Sequence, residues 1–210
     1  MAFGDSITEG EVTSPLNGFA PAGAGQPSYR LIVVPSASYP TILANLLKAR
    51  YRDQASQLVV ENQGKSGERA RDAVPRFQQV FGATRPEVLL LMEGYNDIGA
   101  GENGAASGAA AALSAMASEA RGRGSRVFIA TLAPSRPSRG SIPTPLLDDF
   151  NRRVRAVAAG EGAVLVDIYG ALLSDVNAYI GVDGLHPTEA GYRKIAETFF
   201  EAIRTTLEVP

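Results

Sequence analysis

The sequence predicts an α/β fold in which a parallel sheet is covered by helices on both faces. Two observations predict it. The strand-like runs are apolar throughout, as in Val88-Leu89-Leu90-Leu91-Met92, and do not alternate as a sheet with one wet face would. Between these runs lie segments with apolar residues at helical spacing, so strands and helices take turns along the chain. A third observation concerns function. Polar or glycine-containing stretches follow the apolar runs, and in such a sheet ligands bind beyond the carboxyl ends of the strands.

The first element is a short apolar strand, Ala2-Phe3, that stops at Gly4-Asp5-Ser6-Ile7-Thr8-Glu9-Gly10. A serine there sits where a strand ends and a helix begins. Only three residues precede this block, fewer than the roughly 5–6 of an ordinary strand. The first strand is therefore expected to extend upstream, with an export segment removed ahead of it; no leader pattern lies within the sequence itself. Residues 11–38 carry several Pro, Gly and Ser around Leu31-Ile32-Val33-Val34. Strand-to-helix connections are normally about 2–6 residues, so this insertion is a functional loop or holds a small hairpin.

Tyr39 to Tyr51 reads as a helix, with Pro40 in its first turn and Ile42, Leu43, Leu46 and Leu47 on one face. Leu58 to Asn62 is a short strand running into Gly64-Lys65-Ser66-Gly67, and Arg69 to Phe81 a polar helix weakened by Pro75. The apolar strand 86–92 ends at Gly94-Tyr95-Asn96-Asp97. Ala105 to Arg121 is helical by its alanine content, stopped by Gly122 and Gly124. Val127 to Leu132 is a strand, followed by a loop rich in Pro, Ser and Arg. Pro145 to Ala159 is an amphipathic helix closed by Gly160, Val164 to Asp167 the last strand, and 171–174 a short helix. The final helix, from Pro187 to about Leu207, puts Ile195, Ala196, Phe199, Phe200 and Ile203 on one face. No repeat or linker divides the chain, which reads as one domain over 1–210.

Composition narrows the chemistry. A net charge of −2, from 20 basic and 22 acidic residues, gives no electrostatic case for nucleic acid or an anionic membrane. No apolar run approaches the roughly 18–20 residues of a membrane span. With no cysteine, disulfides, thiolate metal sites and cysteine nucleophiles are excluded. There is a single histidine. Any histidine base is His186.

Ser6 is the candidate nucleophile, although the same residue can serve as a helix cap. His186 can take its proton, and Asp183, three residues earlier, can accept the imidazole Nδ1 proton and leave Nε2 for the serine. Asn96 and the backbone N–H groups of Gly67 and Ser6 can hold an oxyanion. Each has a plainer reading, as a turn residue or an exposed histidine. The Gly-x-Ser-x-Gly elbow of the α/β-hydrolases does not occur, since Thr8 stands where the second glycine would be.

The four stretches around Ser6, Gly67, Asn96 and Asp183-Gly184-Leu185-His186-Pro187 resemble, in order, the signature blocks of the SGNH, or GDSL, hydrolases. The resemblance spans nearly the whole chain. It implies a flavodoxin-like three-layer α/β/α sandwich with about five parallel strands. It also implies a serine esterase or lipase that cleaves acyl esters through an acyl-enzyme, with no metal or cofactor. Ser6, Asp183 and His186 would form the triad, with Ser6, Gly67 and Asn96 holding the oxyanion. Three features depart from the family: the brief first strand, Tyr95 in place of the usual threonine or glycine, and the long insertion.

Acetyl or other short-chain esters are the expected substrates, including acetylated carbohydrate, with lipid and thioester substrates open. Tyr29, Arg30, Leu31 to Val34, Arg136 and Arg139 can line the acyl or sugar site. Two other classes compete. One is a silent carbohydrate- or lipid-binding module on the same scaffold, against which the intact triad argues. The other is a nucleotide or phosphate binder using Gly64 to Gly67, which lacks both glycine-loop spacings such sites need.

Overall fold

The computed structural model describes residues 1–15, 29–138 and 140–209. Strand β1 (Ala2–Gly4) runs directly into the one-turn helix α1 (Ser6–Glu9), which is followed by an antiparallel hairpin, β2 (Glu11–Pro15) and β3 (Tyr29–Val33). Helix α2 (Tyr39–Arg50), β4 (Asn62–Gly64), α3 (Ala70–Thr84) and β5 (Val88–Met92) come next. Then follow α4 (Tyr95–Gly99), α5 (Ala105–Gly122), β6 (Arg126–Ala130), α6 (Thr144–Glu161) and β7 (Val164–Val166). The chain closes with α7 (Ile168–Leu172), α8 (Val176–Tyr179) and α9 (Glu189–Leu207).

Five strands form one sheet in the order β4-β1-β5-β6-β7, and every neighbouring pair is parallel. Counting sheet strands alone, this is the 2-1-3-4-5 order of flavodoxin-like folds, whose order reverses beside the first strand. Helices α2 and α9 pack together, with Tyr39 stacked on Phe199 at 5.1 Å. Helices α3, α5 and α6 form the other layer, where Phe77 meets Phe3 edge-on at 5.2 Å. The sheet between them is dry on both faces: Phe3, Leu89, Leu91, Phe128 and Ile129 are fully buried. Apolar runs without alternation are what two covered faces require.

Several boundaries differ from the sequence reading. The strand expected at Leu58 to Asn62 instead spans Asn62–Gly64, and Val59 is 70% exposed. Its partner β1 pairs Ala2, Phe3 and Gly4 with Asn62, Gln63 and Gly64, and the Ala2 N–H donates to the Glu61 carbonyl at 2.8 Å. Helix α3 passes through Pro75 and continues to Thr84, because Ala70, Ala73, Phe77 and Phe81 bury a continuous face. Gly160 does not end α6; Gly162, in the left-handed region at φ 59°, does. The short helix after β7 starts earlier, at Ile168, where the Asp167 side chain caps it at the Gly170 N–H. The hairpin anticipated within 11–38 is present as β2 and β3, with residues 16–28 outside the described residues.

Candidate active site

The nucleophile position is built by the junction of β1 and α1. Asp5 is the N-cap, its Oδ1 accepting from the Ile7 N–H at 3.0 Å. Ser6 is therefore not the cap, and its hydroxyl lies 2.9 Å from His186 Nε2. Gly4 is obligatory just before it, since a Cβ there would come 2.1 Å from the Met92 carbonyl of the neighbouring strand. Tight strand approach thus brings the start of α1 to the carboxyl edge of the sheet.

The base arrives from the far end of the sequence. His186 Nδ1 is 2.5 Å from Asp183 Oδ2, and Asp183 Oδ1 accepts from the backbone N–H groups of Leu185 and His186, both at 3.1 Å. Burial works against the Asp183 carboxylate, but the His186 ring and these N–H groups outweigh it and hold its pKa below the usual range. The turn is fixed from outside by Ser138, whose hydroxyl donates to the Asp183 carbonyl, and by the Arg136 N–H, which donates to the Gly184 carbonyl at 3.1 Å. Beyond it Thr188 caps α9, accepting from the Gly191 N–H at 3.1 Å. Ser6, Asp183 and His186 are all buried.

The remaining blocks are tied to one another and to the residues that follow Ser6. Gly67 has φ +73°, a conformation that favours glycine, in the segment after β4. Its neighbour Ser66 is gripped twice, the N–H by Glu9 Oε2 at 2.7 Å and the hydroxyl by Glu11 Oε1 at 2.6 Å. Among the described residues, neither the Ser6 nor the Gly67 N–H donates to a protein acceptor. Asn96, the second residue of α4, donates one amide N–H to the Glu68 carbonyl at 2.8 Å, tying it to the segment that carries Gly67. Of the five positions expected from the sequence, Ser6, Gly67 and Asn96 follow β1, β4 and β5, and the closing segment brings Asp183 and His186 to Ser6.

The sequence reading gave no role to four acids in this region. Asp97 is fully buried and accepts from the Ala70 N–H at 2.7 Å and from Arg71 Nε at 3.0 Å, capping α3 from another element. Glu93 follows β5 as Asp5 follows β1, and the pairing of Gly4 with Met92 makes the two carboxyls neighbours. Burial, reinforced by Asp5 and Glu68, pushes Glu93 up to about 9. Burial also raises Asp5 to about 6, against the Ile7 N–H, His186 and the Tyr95 N–H. Glu11 places Oε2 3.2 Å from His186 Nε2. The single usable signal was position, an acid directly after each of two adjacent strands, and strand adjacency is not written in the sequence.

Of the proposed lining residues, Arg30, Leu31 and Val33 are exposed on β3, whereas Tyr29, Ile32, Val34 and Arg136 are half-buried. Arg139 lies outside the described residues. Among the described residues, no cluster of three or more His, Asp or Glu is placed to hold a metal ion, and no helix is long and apolar enough to cross a membrane.

Fold and site together define an α/β protein of flavodoxin-like strand order with a hydroxyl, an imidazole and a carboxylate in a row at the carboxyl ends of its strands. Residues 2–194 match the GDSL-like lipase/acylhydrolase family. The chain belongs to that family and is an enzyme of its esterase and lipase class. It is 26% identical to Esterase TesA of Pseudomonas aeruginosa over 165 residues, which cover 77% of this chain and 78% of the relative. Its fold is similar to that of LAE5, an alpha/beta hydrolase enzyme from the metagenome of Lake Arreo, with TM-score 0.74, 24% identity, and 96% and 92% of the two chains covered. Axe2, an acetylxylan esterase from Geobacillus stearothermophilus, matches with TM-score 0.69 and 20% identity over 96% and 92%.

Proposed function

We propose that this chain hydrolyses carboxylic acyl esters through an acyl-enzyme on Ser6. One observation carries the proposal: the unbroken row from Ser6 Oγ to His186 Nε2 at 2.9 Å and from His186 Nδ1 to Asp183 Oδ2 at 2.5 Å. His186 takes the Ser6 proton as Oγ attacks the ester carbonyl carbon. The Ser6 and Gly67 N–H groups and the second amide N–H of Asn96 hold the oxyanion. The C–O bond to the alcohol then breaks, and His186 returns the proton to the departing oxygen. Water, deprotonated by His186, attacks the acyl carbon and releases the acid and free Ser6. Asp183 fixes the imidazole tautomer throughout.

Short-chain and acetyl esters are the proposed substrates, on small molecules that include acetylated carbohydrate. The chain's similarity to TesA, an esterase, and to Axe2, an acetylxylan esterase, supports the ester class. Residues 1–210 act as one hydrolase domain in which 11–38 is an insertion beside the nucleophile.

Hydrolysis of 4-nitrophenyl esters from acetyl to long acyl chains, with Ser6→Ala in parallel, tests this reading. Turnover should vanish in Ser6→Ala and be greatest at short chains. Equal rates in the two proteins at every chain length, repeated with acetylated sugars, would overturn it.

A further inference from the structure

The hairpin brings a second carboxylate to the reacting nitrogen of His186. Glu11 opens β2, and its Oε2 lies 3.2 Å from Nε2, the atom that also faces Ser6 Oγ at 2.9 Å. The side chain is 13% exposed and does not swing freely. Its other oxygen accepts from Ser66 Oγ at 2.6 Å, and its backbone carbonyl accepts from the buried Tyr192 hydroxyl at 2.5 Å. Two loops and the last helix thus hold this one acid against the base. Asp183 already occupies Nδ1.

Nε2 must serve two further oxygens during ester hydrolysis. It hands its proton to the departing alcohol, and later takes one from the attacking water. Both must come within hydrogen-bond reach of Nε2 on the side that Ser6 does not fill. Glu11 Oε2, 3.2 Å from the same nitrogen, borders whatever approaches it. The alcohol half of the ester therefore leaves alongside a carboxylate, which accepts hydrogen bonds and donates none.

We infer that Glu11 determines specificity on the alcohol side: it selects esters of neutral, hydroxyl-rich alcohols such as polyols and sugars, and rejects esters whose alcohol carries an anion. This rests on the serine ester hydrolysis proposed above. A hydroxyl next to the ester oxygen donates to the carboxylate in a nearly dry site, where such a charge-assisted bond is strong. A phosphate or carboxylate on the alcohol meets like charge at the same place. Glu9, which holds the Ser66 N–H, adds a second acid to this rim, and the nearby cation Lys65 is paired with Glu68 at 3.2 Å.

Three acetates test the inference: glycerol monoacetate, 1-acetylglycerol 3-phosphate and 4-nitrophenyl acetate. Wild-type kcat/KM should favour glycerol monoacetate over its phosphorylated counterpart by about tenfold or more, the scale of a hydrogen bond to a charged group. In Glu11→Gln that ratio should fall by about tenfold, and Glu11→Ala should do the same if the amide variant does not fold. Equal wild-type rates on the two glycerol esters would overturn the inference without any variant. An unchanged ratio in a folded variant would also overturn it. The 4-nitrophenyl acetate arm separates the two levels: turnover of that ester with no alcohol selectivity leaves the esterase standing and removes Glu11, whereas no turnover of any acetate removes both.

Discussion

Asn96 shows how little a side chain's identity says without its partners. An asparagine after a strand is an ordinary turn signal, yet here one amide proton is spent on the Glu68 carbonyl, which fixes the direction of the other. Asn96→Ala should lower kcat by roughly 10²–10³, the usual effect of one lost oxyanion donor, with KM for 4-nitrophenyl acetate moving far less. Wild-type kcat in that variant would remove Asn96 from the oxyanion site. Ser6, His186 and Asp183 were legible because a lone histidine beside a suitably spaced aspartate leaves few ways to build a base. Glu11 was not legible. Nothing in Gly10-Glu11-Val12 foretells that a hairpin will carry a carboxylate to a nitrogen 175 positions away in sequence.

Elements were read best where burial dictates composition, as in β5 and α5, whose ends fall within a residue or two of expectation. They were read worst where a partner decides, as in β4, whose bounds are those of its pairing with Ala2 to Gly4. Helix α3 is a further example of help from outside an element. Its N-cap residue, Arg69, makes no side-chain cap, and the Ala70 N–H is satisfied instead by Asp97 of α4. Asp97→Ala strips that acceptor from the Ala70 N–H, while Arg71 keeps Glu102, so it should cost about 1–3 kcal/mol. Urea unfolding followed by circular dichroism would measure the loss. A variant as stable as wild type would show that α3 needs no cap.

Across the whole molecule, the sheet order places two acids side by side at the point where strand order reverses, under the candidate site. Glu93 binds its proton up to about pH 9 in the fold, against an ordinary value of 4.5. The folded protein therefore keeps a proton that the unfolded chain releases. Stability from this group is fully present below about pH 4.5 and is lost as pH rises toward about 9. Asp5, raised from 3.8 to about 6, adds a smaller loss of the same sign over a lower range. Glu93→Gln should accordingly melt close to wild type at about pH 5 and several degrees above it at about pH 9. A melting difference that stays constant across that range would show that Glu93 ionises normally. The sequence announced a flavodoxin-like sheet through its resemblance to a family, but this pair depends on which strands become neighbours.

The hydroxyl and its base are separated by 180 positions, and all five strands are complete at Val166, before either Asp183 or His186. A growing chain can therefore lay down every strand of its sheet while the chemistry is still missing. If Ser6 acts as proposed, a ribosome-bound chain stays inert until Asp183 and His186 emerge, and truncation after β7 gives a polypeptide that holds its nucleophile and can never use it. Hydrolysis by this protein then doubles as a report that synthesis has passed His186.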